Sequence, residues 1–558
     1  MFGNNQFGTT LKISIEGQSH SEYIGFSLEG IPSGLKIDFD ELRCFMLRRA
    51  PGRNSLSTSR KEADEVEFLS GLSKEGVTTG DTIKARIANK DVKSSDYKTI
   101  STIPRPGHAD FGQYVQNGFI SPGGGANSGR MTVALCAAGW IAMTFLKFNK
   151  INVKAVVESI GGKKCDFEQT ILEAAEKGDS VGGTISCEVC GIAPGIGGAL
   201  FSGFESRLSA AVFGIPGVKG IEFGNGFASS SLRGSENNDA FKMDGGRVVT
   251  VTNRHGGILG GMTTGMPVTF RVAMKPTPTI FLDQQSIDLS SMTNAICSVK
   301  GRHDPCIVLR ATPVVEAIAA LVTADLILEK RKNFPPICLT LTSLDIEGCK
   351  RDFFSQYPFV DMAEIRLDLL SEDEREKAAE LAKELNVPTI LTFRRKVDGG
   401  AYEGSEEKRI ELFLKLLKED SPFSYVDLED DFRDASVEAA ANKAGVRIIR
   451  SMHLFDDSKK INLINEARRL RGDSNSIPKI AYKVESENEV DDFFRETQGF
   501  DEFEHIFLIM GEIGKKTRLE AHRSNSMLVY SSTGALSSLG HISPSSLVLT
   551  RSKKGGRK

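Results

Sequence analysis

The stretch "SIPKIAYKV", residues 476–484, places two lysines inside a short apolar run. Lys479 stands between Pro478 and Ile480, where removing an ammonium group from water is costly unless a partner compensates the charge. In a strand Lys479 and Lys483 would lie on the same face, because side chains alternate with a period of two. An ordinary strand lysine points to solvent, so the surrounding chain decides which of the two lies inside.

The lysine segment is one of eight short apolar or β-branched runs in the second half of the chain. The runs are "ICLTLTS", "MAEIRLDLL", "VPTILTFR", "YVDLE", "VRIIRSMH", "PKIAYKV", "HIFLIMG" and "MLVYSS". Charged helical segments such as "SEDEREKAAELAKELN" separate them. This alternation predicts parallel βα units, and eight of them fit a closed (β/α)8 TIM barrel. An open doubly wound sheet is the alternative, but it more often carries a glycine-rich loop after its first strand.

The first half has a different composition, with long Gly- and Ser-rich stretches such as "SPGGGANSGR" between helical and strand-like segments. Loops of this length in a compact domain are usually functional or disordered. We expect two α/β domains, 1–328 with long functional loops and 338–550 as the barrel. A short linker at 329–337, "EKRKNFPPI", joins them, and a basic tail follows at 551–558. We also expect the two domains to function independently.

Composition limits the classes of partner. The 558 residues carry a net charge of −3 and a pI near 6.3, which disfavours a nucleic-acid reading of the Arg-Gly loops. The start lacks a signal-peptide pattern, and "MTVALCAAGWIAMTFL", 131–146, is too short to span a membrane and predicts a buried helix. Nine cysteines without paired spacing favour a reducing compartment, by default the cytoplasm. "CEVC", Cys187 to Cys190, predicts strand residues rather than a metal site, and no metal is expected.

Polar and charged residues stand where barrel strands end, which is the catalytic face of such barrels. Together with the lysine they are Glu364, Arg366, Arg394, Glu429, His453, Lys479 and Arg518. One ring of such groups could be ordinary rim charge. The convergence of one Lys, one His, one Glu and three Arg from six strands argues against that reading and favours a catalytic site.

The segments "EIRLDLL", "TILTFRR", "YVDLE", "RSMHLFDD", "IPKIA", "MGEIGKKTR" and "LGHIS" together resemble type I 3-dehydroquinate dehydratase, across nearly all of 338–558. The resemblance implies that Lys479 forms an imine with the substrate ketone, His453 shuttles the proton and Glu429 orients it. Arg366, Arg394, Arg518 and Glu364 would hold the substrate, with Ser537 and His541 in the last loop. Lys479 would then face the lumen, and Lys483 would be a rim charge.

The first half carries "SRKEADEVEFLSG", "RPGHAD", "GGILGG" and "GRHDPC" in that order, and over about residues 4–328 it resembles chorismate synthase. The resemblance implies a 1,4-anti elimination of phosphate from 5-enolpyruvylshikimate 3-phosphate, a requirement for reduced FMN, and a homotetramer. NADPH is a candidate reductant of the flavin. A polyanionic substrate needs several cations, and the candidates are Arg48, Arg49, Arg60, Arg105 and Arg130.

The same resemblance assigns further roles. His20 would help phosphate leave, His108 would keep the flavin in its reactive protonation state, and Asp304 would assist deprotonation. The flavin contacts implied are Ala126, Asn127, Ser128, Glu236, Asn237, Gly260, Lys275, Pro276, Thr277, Pro278, Thr279 and Arg302.

The sequence therefore predicts a bifunctional lyase of aromatic precursor biosynthesis, acting on two small-molecule substrates. The alternative is a chain in which one half has lost activity and remains as an anion-binding regulatory or scaffold domain. Altered loops, "GQSHS" and "GHIS", motivate that alternative. Retention of the catalytic candidates in both halves argues against it.

Overall fold

A computed structural model describes residues 5–52, 64–89, 102–298, 304–455, 461–472, 476–533 and 540–555. Three predicted site residues, Arg60, Arg302 and Ser537, lie outside the described residues.

In its described residues the first half contains two larger antiparallel sheets and three two-stranded ribbons. Its strands are β1 (Gln6–Phe7), β2 (Lys12–Gly17), β3 (Tyr23–Glu29), β4 (Glu67–Ser70), β5 (Ile83–Ala88), β6 (Asn152–Ile160), β7 (Gly183–Cys190), β8 (Val218–Phe223), β9 (Phe241–Asp244), β10 (Arg247–Thr250), β11 (Ile258–Leu259), β12 (Met262–Thr263), β13 (Val268–Met274), β14 (Gln284–Asp288) and β15 (Thr293–Cys297). One sheet has the order β1-β2-β3-β5-β4 and the other β6-β7-β13-β8. The "CEVC" segment lies in β7, as predicted for strand residues.

Helices of the first half pack between and beside these sheets. They are α1 (Phe39–Arg49), α2 (Asp110–Asn117), α3 (Thr132–Phe148), α4 (Phe167–Glu176), α5 (Phe204–Val212), α6 (Gly234–Asn237) and α7 (Val308–Asn333). Helices α3 and α7 form the centre of the core. A Cβ at Gly139 of α3 would lie 2.3 Å from the Cβ of Ala317 in α7, so only glycine allows this close approach.

Both central helices are long and apolar enough to cross a membrane by length and composition. The apolar window of α3 is 72% buried inside the protein, and that of α7 is 94% buried. Burial of this extent is typical of core helices. The prediction of a buried helix over 131–146 is confirmed.

The second half is a curled sheet of eight parallel strands, and the predicted barrel is confirmed. The strands are β16 (Ile337–Leu341), β17 (Met362–Arg366), β18 (Thr389–Thr392), β19 (Tyr425–Glu429), β20 (Arg447–Leu454), β21 (Ile477–Tyr482), β22 (Ile506–Ile509) and β23 (Val529–Ser531). Neighbours pair in chain order, and β23 pairs with β16. The Met527 N–H donates to the His505 carbonyl at 2.8 Å, which joins the segments that lead into β23 and β22.

Helices alternate with the barrel strands and cover the sheet. They are α8 (Ile346–Gln356), α9 (Ala378–Leu385), α10 (Glu406–Leu416), α11 (Ala435–Lys443), α12 (Leu463–Arg471), α13 (Glu487–Thr497), α14 (Lys515–Leu519) and α15 (Pro544–Gly555). Several begin with a capping side chain, such as Asp434 before α11, whose carboxylate accepts from two backbone N–H groups. The first turns are therefore fixed at the carboxyl ends of the strands, where the site lies.

The junction between the halves differs from the prediction. The predicted linker at 329–337 overlaps α7, which runs to Asn333, and β16, which begins at Ile337. Only residues 334–336 lie between the two elements. The charged run "EKRKN" continues the helix because Glu, Lys and Arg are good helix formers. Pro335 restricts the preceding residue to extended conformations, and the helix ends there.

The amino end of the barrel packs against the first half. Phe148, at the end of α3, contacts the Tyr425 ring edge-on with 5.3 Å between ring centroids, beside the apolar cluster at that end of the barrel. Lys150 Nζ donates to the Pro422 carbonyl at 2.9 Å. The two domains therefore contact each other as well as being joined through residues 334–336, and their functional independence stays a prediction. The carboxyl ends of the barrel strands, which carry the predicted site, lie at the opposite end.

Candidate active sites

Lys479 lies inside the barrel. Its side chain, on β21, is 4% exposed, and Nζ donates to Asp427 Oδ2 on β19 at 2.7 Å. Glu364 Oε1 lies 3.9 Å from the same nitrogen, and the Tyr530 ring centroid lies 4.3 Å away. Lys483 follows the strand and is exposed. The structure therefore places Lys479 inside the barrel and Lys483 at its surface, as predicted.

The surroundings of Lys479 favour its neutral form. Burial lowers the pKa of Lys479 below its usual value, and the nearby cation Arg394 lowers it further, against the opposing effect of Asp427. Burial alone would raise the pKa of Asp427, yet Arg394 and Lys479 hold it well below its usual range. The pair therefore consists of a carboxylate that stays ionised beside a lysine that gives up its proton more readily than in water.

His453 lies on β20 against Arg394. The Arg394 guanidinium donates to His453 Nε2 at 2.7 Å, which assigns the ring proton to Nδ1. His453 Nδ1 is buried and has no hydrogen-bond partner in the part of the chain that the structure describes. Burial, then Arg394 and Lys479, lower the pKa of His453 well below its usual value. The imidazole is therefore neutral at pH 7, as a proton acceptor must be.

Glu429 is not brought to His453. It is buried at the end of β19 and accepts a hydrogen bond from Arg409 of α10, whose side chain is fully buried. Burial raises the pKa of Glu429, and Arg409 opposes that rise. Among the described residues no hydrogen bond joins Glu429 to the imidazole. The described contacts of Glu429 are therefore with Arg409, and its role in orienting His453 stays a prediction.

Asp427 is the residue that sequence reasoning missed. It stands two positions before Glu429 in "YVDLE", so both side chains lie on the same face of β19. Besides Lys479, Asp427 contacts Arg394 NH2 at 2.8 Å and accepts from Ser451 Oγ at 2.6 Å. The signal in the sequence was an aspartate inside the apolar run "YVDLE", on the same face of β19 as the candidate Glu429. An acidic residue in that position could have been recognised as a partner for Lys479.

The other predicted barrel residues also line this end of the lumen. Glu364 accepts hydrogen bonds from Thr340 Oγ1 at 2.8 Å and Thr392 Oγ1 at 2.9 Å, so its position is fixed. Arg366 forms two hydrogen bonds to Asp368, at 2.7 and 2.9 Å.

Two further residues approach from the segments that follow β22 and β23. Arg518 NH1 donates to the Ile509 carbonyl at 2.8 Å, and burial lowers the pKa of Arg518 to about 10. Burial and the Arg518 charge lower the pKa of His541 to about 3. His541 is therefore neutral and near a cation. Arg366, Arg394 and Arg518 give this end of the lumen its positive charge.

In the first half, His20 and His108 lie against one glycine loop. Gly123, Gly124 and Gly125 all have positive φ angles, between 56° and 85°. A Cβ at Gly123 would lie 2.2 Å from His20 Cε1, and a Cβ at Gly124 would lie 2.8 Å from His108 Cε1. Both the positive φ angles and the close approach of the imidazole rings therefore require glycine. The loop brings the two predicted histidines against adjacent residues.

Three of the predicted arginines are buried in ion pairs. Arg49 and Arg130 share the carboxylate of Asp64, Arg49 NH2 at 2.9 Å from Oδ2. Arg105 Nε donates to Asp110 Oδ2 at 2.7 Å, and His108 Nδ1 lies 2.5 Å from Asp110 Oδ1. Burial would raise the pKa of Asp110, but Arg105 and His108 hold it far below its usual range. Asp110, which the sequence did not single out, therefore fixes both Arg105 and His108.

Arg48 and Asp304 take different places. Arg48, with 43% of its side chain exposed, pairs with Glu316 of α7 at 2.7 Å. Asp304 pairs with Arg310 at 2.7 Å, and the same guanidinium donates to the Arg49 carbonyl at 2.9 Å. Burial raises the pKa of Asp304, with Arg310 opposing. Asp304 is thus joined to the arginine group through Arg310.

The predicted flavin contacts fall into two groups. Lys275 donates to the Gly107 carbonyl, Thr279 Oγ1 accepts from Arg105 at 3.4 Å, and a Cβ at Gly107 would lie 3.4 Å from Pro278. The segment 275–279 therefore adjoins "RPGHAD", and Ser128 accepts from the Arg130 N–H at the end of the glycine loop.

The second group is separate. Glu236 accepts from the Arg233 N–H, Asn237 Nδ2 lies 3.5 Å from His255 Nε2, and Gly260 has a φ of 60°. No hydrogen bond joins this group to the glycine loop among the described residues. In the same described ranges, no cluster of three or more His, Cys, Asp and Glu side chains could hold a metal ion.

Comparisons with known proteins support the family predicted for each half of the chain. The family model for chorismate synthase matches residues 11–328, and the model for type I 3-dehydroquinase matches residues 337–550. A chorismate synthase of Lancefieldella parvula is 40% identical over 361 residues, which cover 57% of this chain and 95% of that protein.

Two solved structures are similar to the separate halves. A chorismate synthase structure has 26% identity and a TM-score of 0.45, covering 58% of this chain and 93% of the other. A type I 3-dehydroquinate dehydratase from Clostridium difficile has 23% identity and a TM-score of 0.36, covering 40% of this chain and 94% of the other. With more than half of its length matched by one family model, the chain belongs to the chorismate synthase family, and a type I 3-dehydroquinase domain follows in the same polypeptide.

Proposed function

We propose that the chain catalyses two eliminations of the shikimate pathway, one in each domain. The barrel dehydrates 3-dehydroquinate to 3-dehydroshikimate through an imine on Lys479. The first domain removes phosphate from 5-enolpyruvylshikimate 3-phosphate to give chorismate. The observation that carries the barrel assignment is a buried lysine with a lowered pKa, beside Asp427, Arg394 and Glu364. The domain limits we propose are 1–333 and 337–555, which follow the family matches and the end of α7.

The barrel chemistry balances with the residues present. The Lys479 amine adds to the substrate ketone, and the adduct loses water to form an iminium. The positive charge of the iminium stabilises the carbanion that forms when the neighbouring carbon loses its proton. His453 takes the proton from that carbon and returns it to the departing hydroxyl group, which leaves as water. Addition of water to the iminium then releases the product ketone and restores the lysine.

Asp427 and the arginines position these groups. The Asp427 carboxylate holds Lys479 Nζ at 2.7 Å and also contacts Arg394, so it fixes the nucleophile and one cation together. Arg366 and Arg518 would bind the substrate carboxylate and hydroxyl groups. A guanidinium binds a carboxylate with two parallel hydrogen bonds, which lysine cannot do.

Replacing His453 by alanine is expected to slow dehydration by roughly 10²–10⁴-fold, the usual worth of a positioned acid–base group. Imine formation should survive, because Lys479 and its partners remain in place. Because the pKa of His453 is depressed, the neutral imidazole persists as the pH falls, and the acid limb of the wild-type rate profile should lie below pH 6.5. The measurements are steady-state rates against pH and mass spectrometry of the borohydride-trapped protein. Unchanged turnover in the variant would show that another group moves the proton.

The synthase domain offers a setting suited to reduced FMN. The support is a loop of three glycines in the left-handed region, two histidines against it, and Arg49, Arg105 and Arg130 buried nearby. When bound, reduced FMN supplies the electron-rich ring that this elimination requires. The chain would hold it with Ser128 and the segment 275–279. Residues 236–237 and Gly260 would contribute from the second group, and NADPH is our candidate reductant.

The direct test is purification of the full chain, a search for flavin absorbance after addition of FMN, and assays of both eliminations. Arg130→Ala should mainly raise the KM for the phosphorylated substrate, because a cation of the anion site is lost. His108→Ala should mainly lower kcat, by roughly 10²–10⁴-fold, with FMN still bound. Circular dichroism checks the fold, and Arg86→Ala, an exposed arginine in a surface ion pair, is the matched control. Equal changes in KM for all three variants would contradict these roles.

A further inference from the structure

A cavity of about 280 Å³ lies between the two domains, at the amino end of the barrel. The first domain contributes the end of α7 and the segment 191–196, and the barrel contributes the turns before β17 and β18. The volume is near the lower limit of small-molecule sites, which are commonly about 300–1,000 Å³. The barrel's catalytic groups lie at the other end of the strands, so the cavity is separate from the active site.

The charges that line this cavity are unequal. Arg247, Lys330 and Arg331 are its cations, and Asp361 is its acidic side chain. Lys330 Nζ lies 3.9 Å from Asp361 Oδ1, so that pair accounts for one charge of each sign. Within the described parts of the chain, neither guanidinium has a carboxylate within 4 Å. In those described ranges the two guanidinium groups therefore form no ion pair, although the charges of Asp361 and Glu504 act on Arg331 from farther away.

The two arginines are held in place by neutral groups. Arg247 NH2 donates to the carbonyls of Glu384 and Leu385 at 3.1 and 3.0 Å, and its guanidinium lies over the Phe354 ring. Arg331 NH2 donates to Asn149 Oδ1 at 2.5 Å, and its guanidinium lies over the Phe145 ring. These contacts fix the positions of the two guanidinium groups without neutralising their positive charges. Both arginines are half-buried, and with Lys330 they give the cavity three cations against the one carboxylate of Asp361, a balance that favours an anionic ligand.

Much of the remaining wall is apolar, although Asn149, Asn386 and Tyr357 also line it. Ile151, Ile192, Ile196, Ile327, Val360 and Val387 line it together with several prolines. A free phosphate would leave this apolar surface uncovered, whereas a ring or short chain carrying a carboxylate would cover it and reach the arginines. We propose that the interdomain cavity binds a small organic carboxylate with an apolar ring, held by Arg247 and Arg331, and that this ligand joins the two domains.

The test uses the full chain and 4-fluorobenzoate as the probe. Binding is followed by ¹⁹F NMR line broadening and by calorimetry, with saturating 3-dehydroquinate present to occupy the barrel site. We expect saturable binding that 3-dehydroquinate does not displace, and little binding of inorganic phosphate or of 4-fluorobenzyl alcohol at this site. Displacement by 3-dehydroquinate, or equal binding of the alcohol, would overturn the proposal.

Variants locate the binding. Arg247→Gln and Arg331→Gln should each weaken binding about tenfold or more, and Arg495→Gln, an exposed arginine on α13, should leave it unchanged. Val387→Phe keeps both guanidinium groups but fills the cavity, so it should abolish binding even if an arginine variant fails to fold. Both elimination rates should stay near wild type in folded variants, since none of these residues belongs to the catalytic groups. Wild-type affinity in Val387→Phe would overturn the proposal.

Discussion

Lys479→Ala is expected to abolish dehydration of 3-dehydroquinate and to leave the synthase activity intact. The loss should exceed about 10⁴-fold, because it removes the covalent step on which the acid–base group acts, and that group alone is worth roughly 10²–10⁴-fold. In the wild-type protein, borohydride added with 3-dehydroquinate should reduce the iminium to a stable secondary amine on Lys479. The measurements are the rate of dehydroshikimate formation and peptide mapping of the adduct.

The matched control for this substitution is Lys483→Ala. Lys483 follows the same strand but is exposed, so its loss should change the rate little. An adduct mapped to Lys483, or to neither lysine, would contradict the imine on Lys479. Loss of both elimination activities in Lys479→Ala would point to unfolding instead, which circular dichroism would reveal.

The strand pattern predicted the barrel because each strand is short, apolar and separated from the next by a charged helix. "YVDLE" became β19 at Tyr425–Glu429 with both bounds as quoted. The pattern left open which lysine faces inward, and only the resemblance to type I 3-dehydroquinate dehydratase placed Lys479 in the lumen. The strands themselves depend on local periodicity, which a single sequence carries.

The roles of the two acidic residues of β19 could not be predicted in the same way. Asp427 and Glu429 share a face, and which of them meets Lys479 depends on their depth along the barrel axis. Arg409, which takes up Glu429, comes from α10, twenty residues earlier. Nothing in the local pattern shows that a helix arginine enters the barrel wall. The pairing follows from tertiary packing.

The contact between the domains was also beyond the pattern. Residues 329–333 have the composition of a solvated linker, yet they continue α7. Phe148 ends a core helix of the first domain and packs against the apolar cluster at the amino end of the barrel. Two surfaces that fit each other produce no periodic pattern in the sequence. The contact between the domains therefore could not be predicted from the sequence of either half alone.

The arrangement bears on why the two activities share one chain. By our proposal, the product of the barrel still needs reduction, phosphorylation and enolpyruvyl transfer before the synthase can use it. The barrel site opens at the end away from the synthase domain, so the geometry offers no path for transfer between the sites. We therefore expect the gain to be structural and to be measurable at the amino end of the barrel, where the two domains are in contact.

A barrel fragment that begins at residue 334 is expected to keep kcat and KM near those of the full chain at 25 °C but to lose activity at a lower temperature. Without the first domain, the Tyr425 ring and the cluster beside it lose the Phe148 ring that covers them. The Lys150 and Ser424 hydrogen bonds across the interface are lost as well. Thermal inactivation of dehydratase activity, measured side by side, checks this.

The same loss can be made in the intact chain with Phe148→Ala. An edge-on aromatic pair contributes about 0.5–1.5 kcal/mol beyond its burial, so with the lost apolar contact we expect a cost of about 2 kcal/mol. For a domain of this size that corresponds to a decrease of about 4–8 °C in melting temperature. Phe111→Ala, at a side chain that is largely exposed on α2, is the control and should change the melting temperature by much less. If Phe148→Ala melts like the control and the fragment withstands heat as well as the full chain, the barrel does not depend on the synthase domain for its stability.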